Sequence, residues 1–258
     1  RATMRHFAVN LTMMFNEWAF VDRFQAAADS GFTHVECLFP YEVDADILAK
    51  TLHSTALTQV LFNAPPGDWA KGERGLAALP DRQCDFRHMM DKALHYAHVM
   101  NVKRIHVMAG LADRRDPVAC QTYRSALLYA CEKTIDRGID ILIEPLNGRD
   151  MPGYFLNDFD FAVSLIKDLG LKNLKLQYDI YHRQILHGDV LKSLETLLPL
   201  IGHIQLASVP LRQEPLSGEL DDCHILRHLD ALGYEGFVGL EYRPAGTTRA
   251  GLSWRSRL

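Results

Sequence analysis

The sequence predicts an α/β protein folded as one domain, a (β/α)8 or TIM barrel. Strand-like apolar runs alternate with helix-like periodic segments from end to end, and eight such runs fit into 258 residues at about 32 residues per unit. No break in composition marks a second domain. The expected domain therefore spans 5–254, with residues 1–4 an expression remnant or disordered start in which the first three residues precede a natural beginning at Met4.

The strand runs are FAVNLT (7–12), HVECLF (34–39), TQVLFN (58–63), RIHVMA (104–109), DILIEP (140–145), LKLQYD (174–179), HIQLAS (203–208) and residues 236–242. Their aliphatic content suits parallel strands that are covered on their outer face. Helical periodicity follows in EWAFVDRFQAAADSG (17–31), FRHMMDKALHYAHVM (86–100) and FDFAVSLIKDLG (159–170). In the last of these, Phe159, Ala162, Val163, Ile166 and Leu169 share one face, and Gly170 provides the stop. The final unit is short and reads as a docked tail. A doubly wound open sheet is the competing architecture, but NLTMMFNEW after the first strand lacks its Gly-rich turn. The longest connection, APPGDWAKGERGLAALPD at 64–81, follows the third strand on the face where barrels keep their active sites, and is read as a lid.

A net charge of −4 provides no general field for nucleic acid or anionic lipid, and no apolar run approaches the roughly 20 residues that span a bilayer. Five scattered cysteines (Cys37, Cys84, Cys120, Cys131, Cys223) form no C-x-x-C pair. They are read as inert buried thiols in a reducing cytoplasm. The expected partner is a small molecule, with no nucleic acid and no membrane. The oligomeric state is open, and a homo-oligomer is compatible with the sequence.

Four strand runs end in an oxygen that an apolar strand does not need. Because strand side chains alternate, Leu142 and Glu144 point away from Ile141 and Ile143, and Gln177 and Asp179 from Leu176 and Tyr178. Gln205 likewise opposes Ile204 and Leu206, and Glu241 opposes Val238 and Leu240. If the aliphatic set packs on the helices, Glu144, Asp179 and Glu241 line the mouth, with Gln205 deeper. Three carboxylates gathered out of water repel one another, so either cations neutralise them or they are not ionised. Lys175 lies two pleats below Asp179. A divalent ion is the more direct solution, and four oxygens without a thiolate favour Mg2+ or Mn2+. Alternatively, each acid caps a helix or pairs with an arginine at the rim.

Such a site suits proton transfer beside a carbonyl. Glu144 and Glu241 would act as acid and base on either side of a planar enediolate, stabilised by the metal. His182, three residues after Asp179, and His106, inward on the fourth strand, are candidate donors to substrate oxygens.

NLTMMFNEWAF, VECLFPYEVD, GDWAKGERGLAALP, HVMAG, ILIEPLN, LQYDIYH, GHIQLASVPLRQEPLSGEL and GLEYRP together resemble the hydroxypyruvate isomerase family of xylose-isomerase-like barrels. The resemblance runs from about residue 5 to residue 254. It implies Glu144, Asp179, Gln205 and Glu241 as metal positions, with Glu144 and Glu241 also acid and base. Many broader relatives have histidine where Gln205 stands, which leaves the metal's identity open. The implied reaction interconverts hydroxypyruvate and 2-hydroxy-3-oxopropanoate. GDWAKGERG and QYDIYH look like that group, while HVMAG looks like the sister group of 2-oxo-tetronate isomerases. Either substrate carries a carboxylate, for which Arg212, Arg243, and Lys71 or Arg74 of the lid are candidates. Glu214 and Glu219 are assigned to a loop without a role. A 3-epimerase of keto sugars, a metal-dependent phosphate-ester hydrolase and a non-catalytic sugar-acid binder are the alternatives.

Overall fold

The computed structural model describes residues 6–258, so the expectation for residues 1–4 lies outside the described residues. Among those described, eight parallel strands close in sequence order. They are β1 (Phe7–Asn10), β2 (His34–Glu36), β3 (Thr58–Asn63), β4 (Arg104–His106), β5 (Asp140–Ile143), β6 (Leu174–Asp179), β7 (Ile201–Leu206) and β8 (Val238–Leu240). Strand β8 returns to β1 in register, Phe7 against Val238, which closes the barrel and excludes the open sheet. The outer helices are α1 (Phe20–Asp29), α2 (Ala45–Thr55), α3 (Gln83–Met100), α4 (Pro117–Thr134), α5 (Phe159–Leu169), α6 (Ile180–Leu186), α7 (Val190–Leu197) and α8 (Asp222–Ala231).

The alternation expected from sequence holds. Ile141, Ile143, Leu176, Tyr178, Ile204, Leu206, Val238 and Leu240 belong to the large core between strands and helices. Inside the barrel, a small plug of Ala8, Val60, Leu61 and Leu142 fills one level, with Phe237 packed against it. This apolar plug isolates the polar residues that share the interior with it, so their partners must come from one another.

Several strands end earlier than their apolar runs. Regular strand ends at Glu36 in HVECLF and at His106 in RIHVMA, although single backbone hydrogen bonds continue beyond, from Cys37 N to Leu61 O at 3.2 Å and from Val107 N to Leu142 O at 3.0 Å. The tail forms 3-10 turns at Arg249–Arg257, and buried Trp254 packs edge-on to Phe7 and donates to the Tyr242 hydroxyl at 3.1 Å. No disulfide forms among the described residues: Cys37 and Cys131 are buried, whereas Cys84 is exposed, contrary to the expectation of uniformly buried thiols. No described helix is long and apolar enough to cross a membrane.

Candidate active site

Adjacent strands bring the acids together. Asp179 ends β6 opposite Gln205 on β7, and Gln205 pairs with Gly239 on β8, two residues before Glu241. Glu144 follows β5 directly. All four are buried, at most 7% exposed, yet Glu144, Glu241, His106 and His182 line a cavity of about 540 Å³.

Asp179 divides its carboxylate between two tasks. Its Oδ1 caps α6 by accepting the Tyr181 amide at 2.8 Å, while Oδ2 is buried without a hydrogen-bond donor. Glu144 Oε2 is likewise unpartnered. Oxygens of Glu144 and Asp179 and a ring nitrogen of His182 lie within 4.8 Å of one another. Two orphaned carboxyl oxygens beside a third polar group are what a hard divalent cation takes, and their ionisation is otherwise unfavourable. Burial pushes the Glu144 carboxyl well above the usual range, and Glu241 and Asp179 push it further. Burial also raises Glu241 to about 8 and Asp179 to about 6, although Arg212 pulls both down.

Arg212 lines the cavity and is engaged by the acids around it. Its Nη2 donates to Glu241 Oε1 at 2.6 Å and lies 3.7 Å from Asp179, and Nη1 is 3.8 Å from Asp150. The internal counter-ion therefore comes from the loop after β7 and not from Lys175. Arg212 sits at a left-handed φ of +58°, and its carbonyl accepts the Arg243 amide at 2.8 Å. The alternative readings of Asp179 as a cap and Glu241 as an arginine partner both hold, and they coexist with the cluster.

Gln205 is bonded from several sides. Its Oε1 accepts from Gln177 at 2.7 Å, and its Nε2 donates to Glu36 at 2.6 Å and also to Glu241. Rotating the amide would set its oxygen against two carboxylates, so the orientation is determined. The oxygen still has a second lone pair. Glu36 is a fourth interior acid, fully buried, that also accepts from Asn10 at 3.0 Å and contacts His203 at 2.8 Å. Sequence reasoning missed it, although the His34–Glu36 alternation carried the same signal.

His182 is buried and not at the surface. Its Nδ1 accepts the Asn147 backbone amide at 3.1 Å, which leaves the proton on Nε2, 3.7 Å from Asp179. Burial holds the ring neutral, with its pKa well below the ordinary histidine value. In that tautomer His182 is a donor. Burial likewise lowers His106 to about 3; its Nδ1 lies 4.0 Å from Glu144 and its Nε2 has no partner. Arg243 and Arg74 line the cavity, whereas Lys71 faces solvent beside Asp68 at 3.8 Å. Glu214 and Glu219 serve loop contacts, accepting from Ala245 and Gln184.

A family model for xylose isomerase-like TIM barrels matches residues 24–258. The chain belongs to that family. It is 53% identical to a 2-oxo-tetronate isomerase of Cupriavidus necator over 97% of each chain. It is 40% identical to a hydroxypyruvate isomerase of Escherichia coli, over 97% of this chain and 98% of that one. Among solved structures it is similar to one from Brucella melitensis described as an AP endonuclease, family 2. That match has a TM-score of 0.96 and 46% identity, and covers 98% of this chain and 99% of the other.

Proposed function

We propose that this protein is an isomerase of small keto acids that moves a proton between adjacent carbons through an enediolate, and that 2-oxo-tetronate is its preferred substrate. The observation that carries the reading is the pair of buried carboxyls, Glu144 and Asp179, that each leave one oxygen without a donor and lie within 4.8 Å of each other, where Glu144 and Glu241 line the cavity. The names of the relatives at 53% and 40% identity support isomerase chemistry, and the former, like a second relative at 44%, supports the four-carbon acid. Hydroxypyruvate, favoured by GDWAKGERG and QYDIYH, is the second reading.

In this reading Glu144, Asp179, Gln205 and Glu241 hold one divalent cation, Mg2+ or Mn2+, with Gln205 offering the free lone pair of its Oε1. When bound, the ion supplies Lewis-acid stabilisation of negative charge on the substrate's oxygens. It also favours the charged forms of the acids around it. Glu144 and Glu241 are the acid and base: one takes the proton from the carbinol carbon and the other delivers a proton to the neighbouring carbonyl carbon. His182, with its proton on Nε2, and His106 are the donors at the substrate oxygens. Arg243 faces the substrate from the rim.

The naming of the Brucella melitensis protein as an AP endonuclease raises phosphate-ester hydrolysis of DNA. A net charge of −4 and a mouth lined by buried acids favour a small substrate over a polyanionic backbone. Incubating the protein with each keto acid and Mn2+ tests the proposal: the expected result is chelator-sensitive conversion with the higher kcat/KM for 2-oxo-tetronate. Conversion of neither acid, together with strand cleavage at abasic DNA, would overturn it.

A further inference from the structure

Three arginines line the cavity, but their surroundings differ. Arg212 is committed to Glu241, Asp179 and Asp150, and its guanidinium lies 4.8 Å over the Tyr181 ring. Among the described residues no carboxylate comes within ion-pair distance of Arg74 or Arg243. A cavity floored by buried acids repels an anionic substrate unless unpaired cations answer it. These two arginines are unpaired.

Arg74 is also held in place. Its guanidinium lies 3.7 Å from the Trp69 ring centroid, and Nη1 donates to the carbonyls of Trp69 at 2.9 Å and Glu73 at 2.8 Å. Trp69 in turn packs on Phe39 at 5.1 Å. The adjacent acid is turned away, because Glu73 is bonded by Arg82 and by the Asp68 amide at 2.8 Å. The segment is anchored on the barrel immediately after Arg74: Gly75 bridges to Ala109, and the Ala78 amide donates to Ala109 O at 2.7 Å. A Cβ at Gly75 would collide with the Met108 carbonyl. A stacked guanidinium keeps its remaining N–H edge for a planar anion, and holding it beforehand lowers the ordering cost of binding. Arg243 lines the same cavity from the loop after β8, two residues past Glu241, with its amide tied to Arg212 O.

We propose that Arg74 and Arg243 form the seat for the substrate's carboxylate, so that the loop at 64–81 selects keto acids over neutral ketoses while Arg212 serves the acids of the site. The inference rests on the keto-acid reading above. It assigns selectivity to a residue of the loop, where Lys71 has no part.

The test compares 2-oxo-tetronate with erythrulose, which carries CH2OH where the acid carries a carboxylate, in wild type, Arg74→Gln, Arg243→Gln and the double variant. The expected result is a loss of kcat/KM for the acid, carried by KM, that exceeds the loss for erythrulose by roughly 10–100-fold per variant. In parallel, erythronate and erythritol, which cannot isomerise, are titrated against tryptophan fluorescence, Trp69 being the tryptophan that lines the cavity. Erythronate binding should weaken in both variants and with added salt, and erythritol binding should not. Equal losses for acid and neutral ligands, or a fall in kcat at constant KM, would overturn the seat. Wild type that binds erythronate through Arg74 but converts neither substrate would preserve the seat and refute the isomerase reading.

Discussion

At the scale of single residues, the site depends on how each carboxylate divides its two oxygens. Asp179 gives one to the helix cap, Glu241 gives both to Gln205 and Arg212, and Glu144 leaves one without a donor. Glu144→Gln and Glu241→Gln should each reduce turnover by roughly 10²–10⁴-fold while circular dichroism and Tm show an intact barrel. These acids were legible because each interrupts or ends an apolar strand. Glu36 obeys the same alternation, but it lies within the run HVECLF and so does not stand out as a strand end. Its depth is made possible by Gly239, where an added Cβ would collide with Glu36 Oε1. Gly239→Ala should therefore cost about 1–3 kcal/mol of stability, measured by chemical denaturation, and lower activity with it. The ion pairs of Arg212 were not legible, because its partners come from the end of β6, the residue after β8 and the loop bearing Asp150, contacts that strand periodicity does not encode.

At the scale of elements, the loop at 64–81 is better described as a fixed wall than as an unstructured lid. Leu76, Ala77 and Ala78 are buried, and short 3-10 turns form at Trp69–Lys71 and Pro80–Arg82. Length and Gly–Pro content revealed the loop in the sequence, but its anchoring depends on the carbonyl of Ala109, more than 25 residues on, and on the loop's own Pro66 carbonyl. Gly75 adopts φ +102°, which L-residues rarely tolerate. Gly75→Ala should detach this wall, raising KM and increasing amide exchange in 64–81 while the strands keep their protection. Unchanged exchange would show that the anchor lies elsewhere. The strand runs were legible to within a few residues, and their ends were not, because where regular pairing stops is set by the neighbouring strands of the closed barrel and not by local composition.

At the scale of the whole molecule, gathering acids in one mouth links folding to pH and, on the proposed function, to a divalent cation. Glu241 moves from an ordinary 4.5 to about 8, and Asp179 from 3.8 to about 6. Folding therefore binds protons between those limits, and the stability this contributes is lost as pH rises from about 4 to about 8. In chelator, Tm should fall across that window; Mn2+ should raise Tm more at pH 8 than at pH 5. Asp222, raised by burial to about 6 away from the cluster, adds to the fall but not to the metal response. A Tm independent of divalent ions at both pH values would contradict the cation site. The barrel itself was legible from eight alternating units, since closure in sequence order is the arrangement that covers every strand.

The central claim is that Glu144 and Glu241 move a proton at a carbon next to a carbonyl. The most direct test is proton NMR in D2O with 2-oxo-tetronate or hydroxypyruvate and Mg2+ or Mn2+. The account predicts deuterium entry at the carbinol carbon with at least one of them, abolished by chelator and by Glu144→Gln. No exchange with either acid under any divalent ion would contradict it.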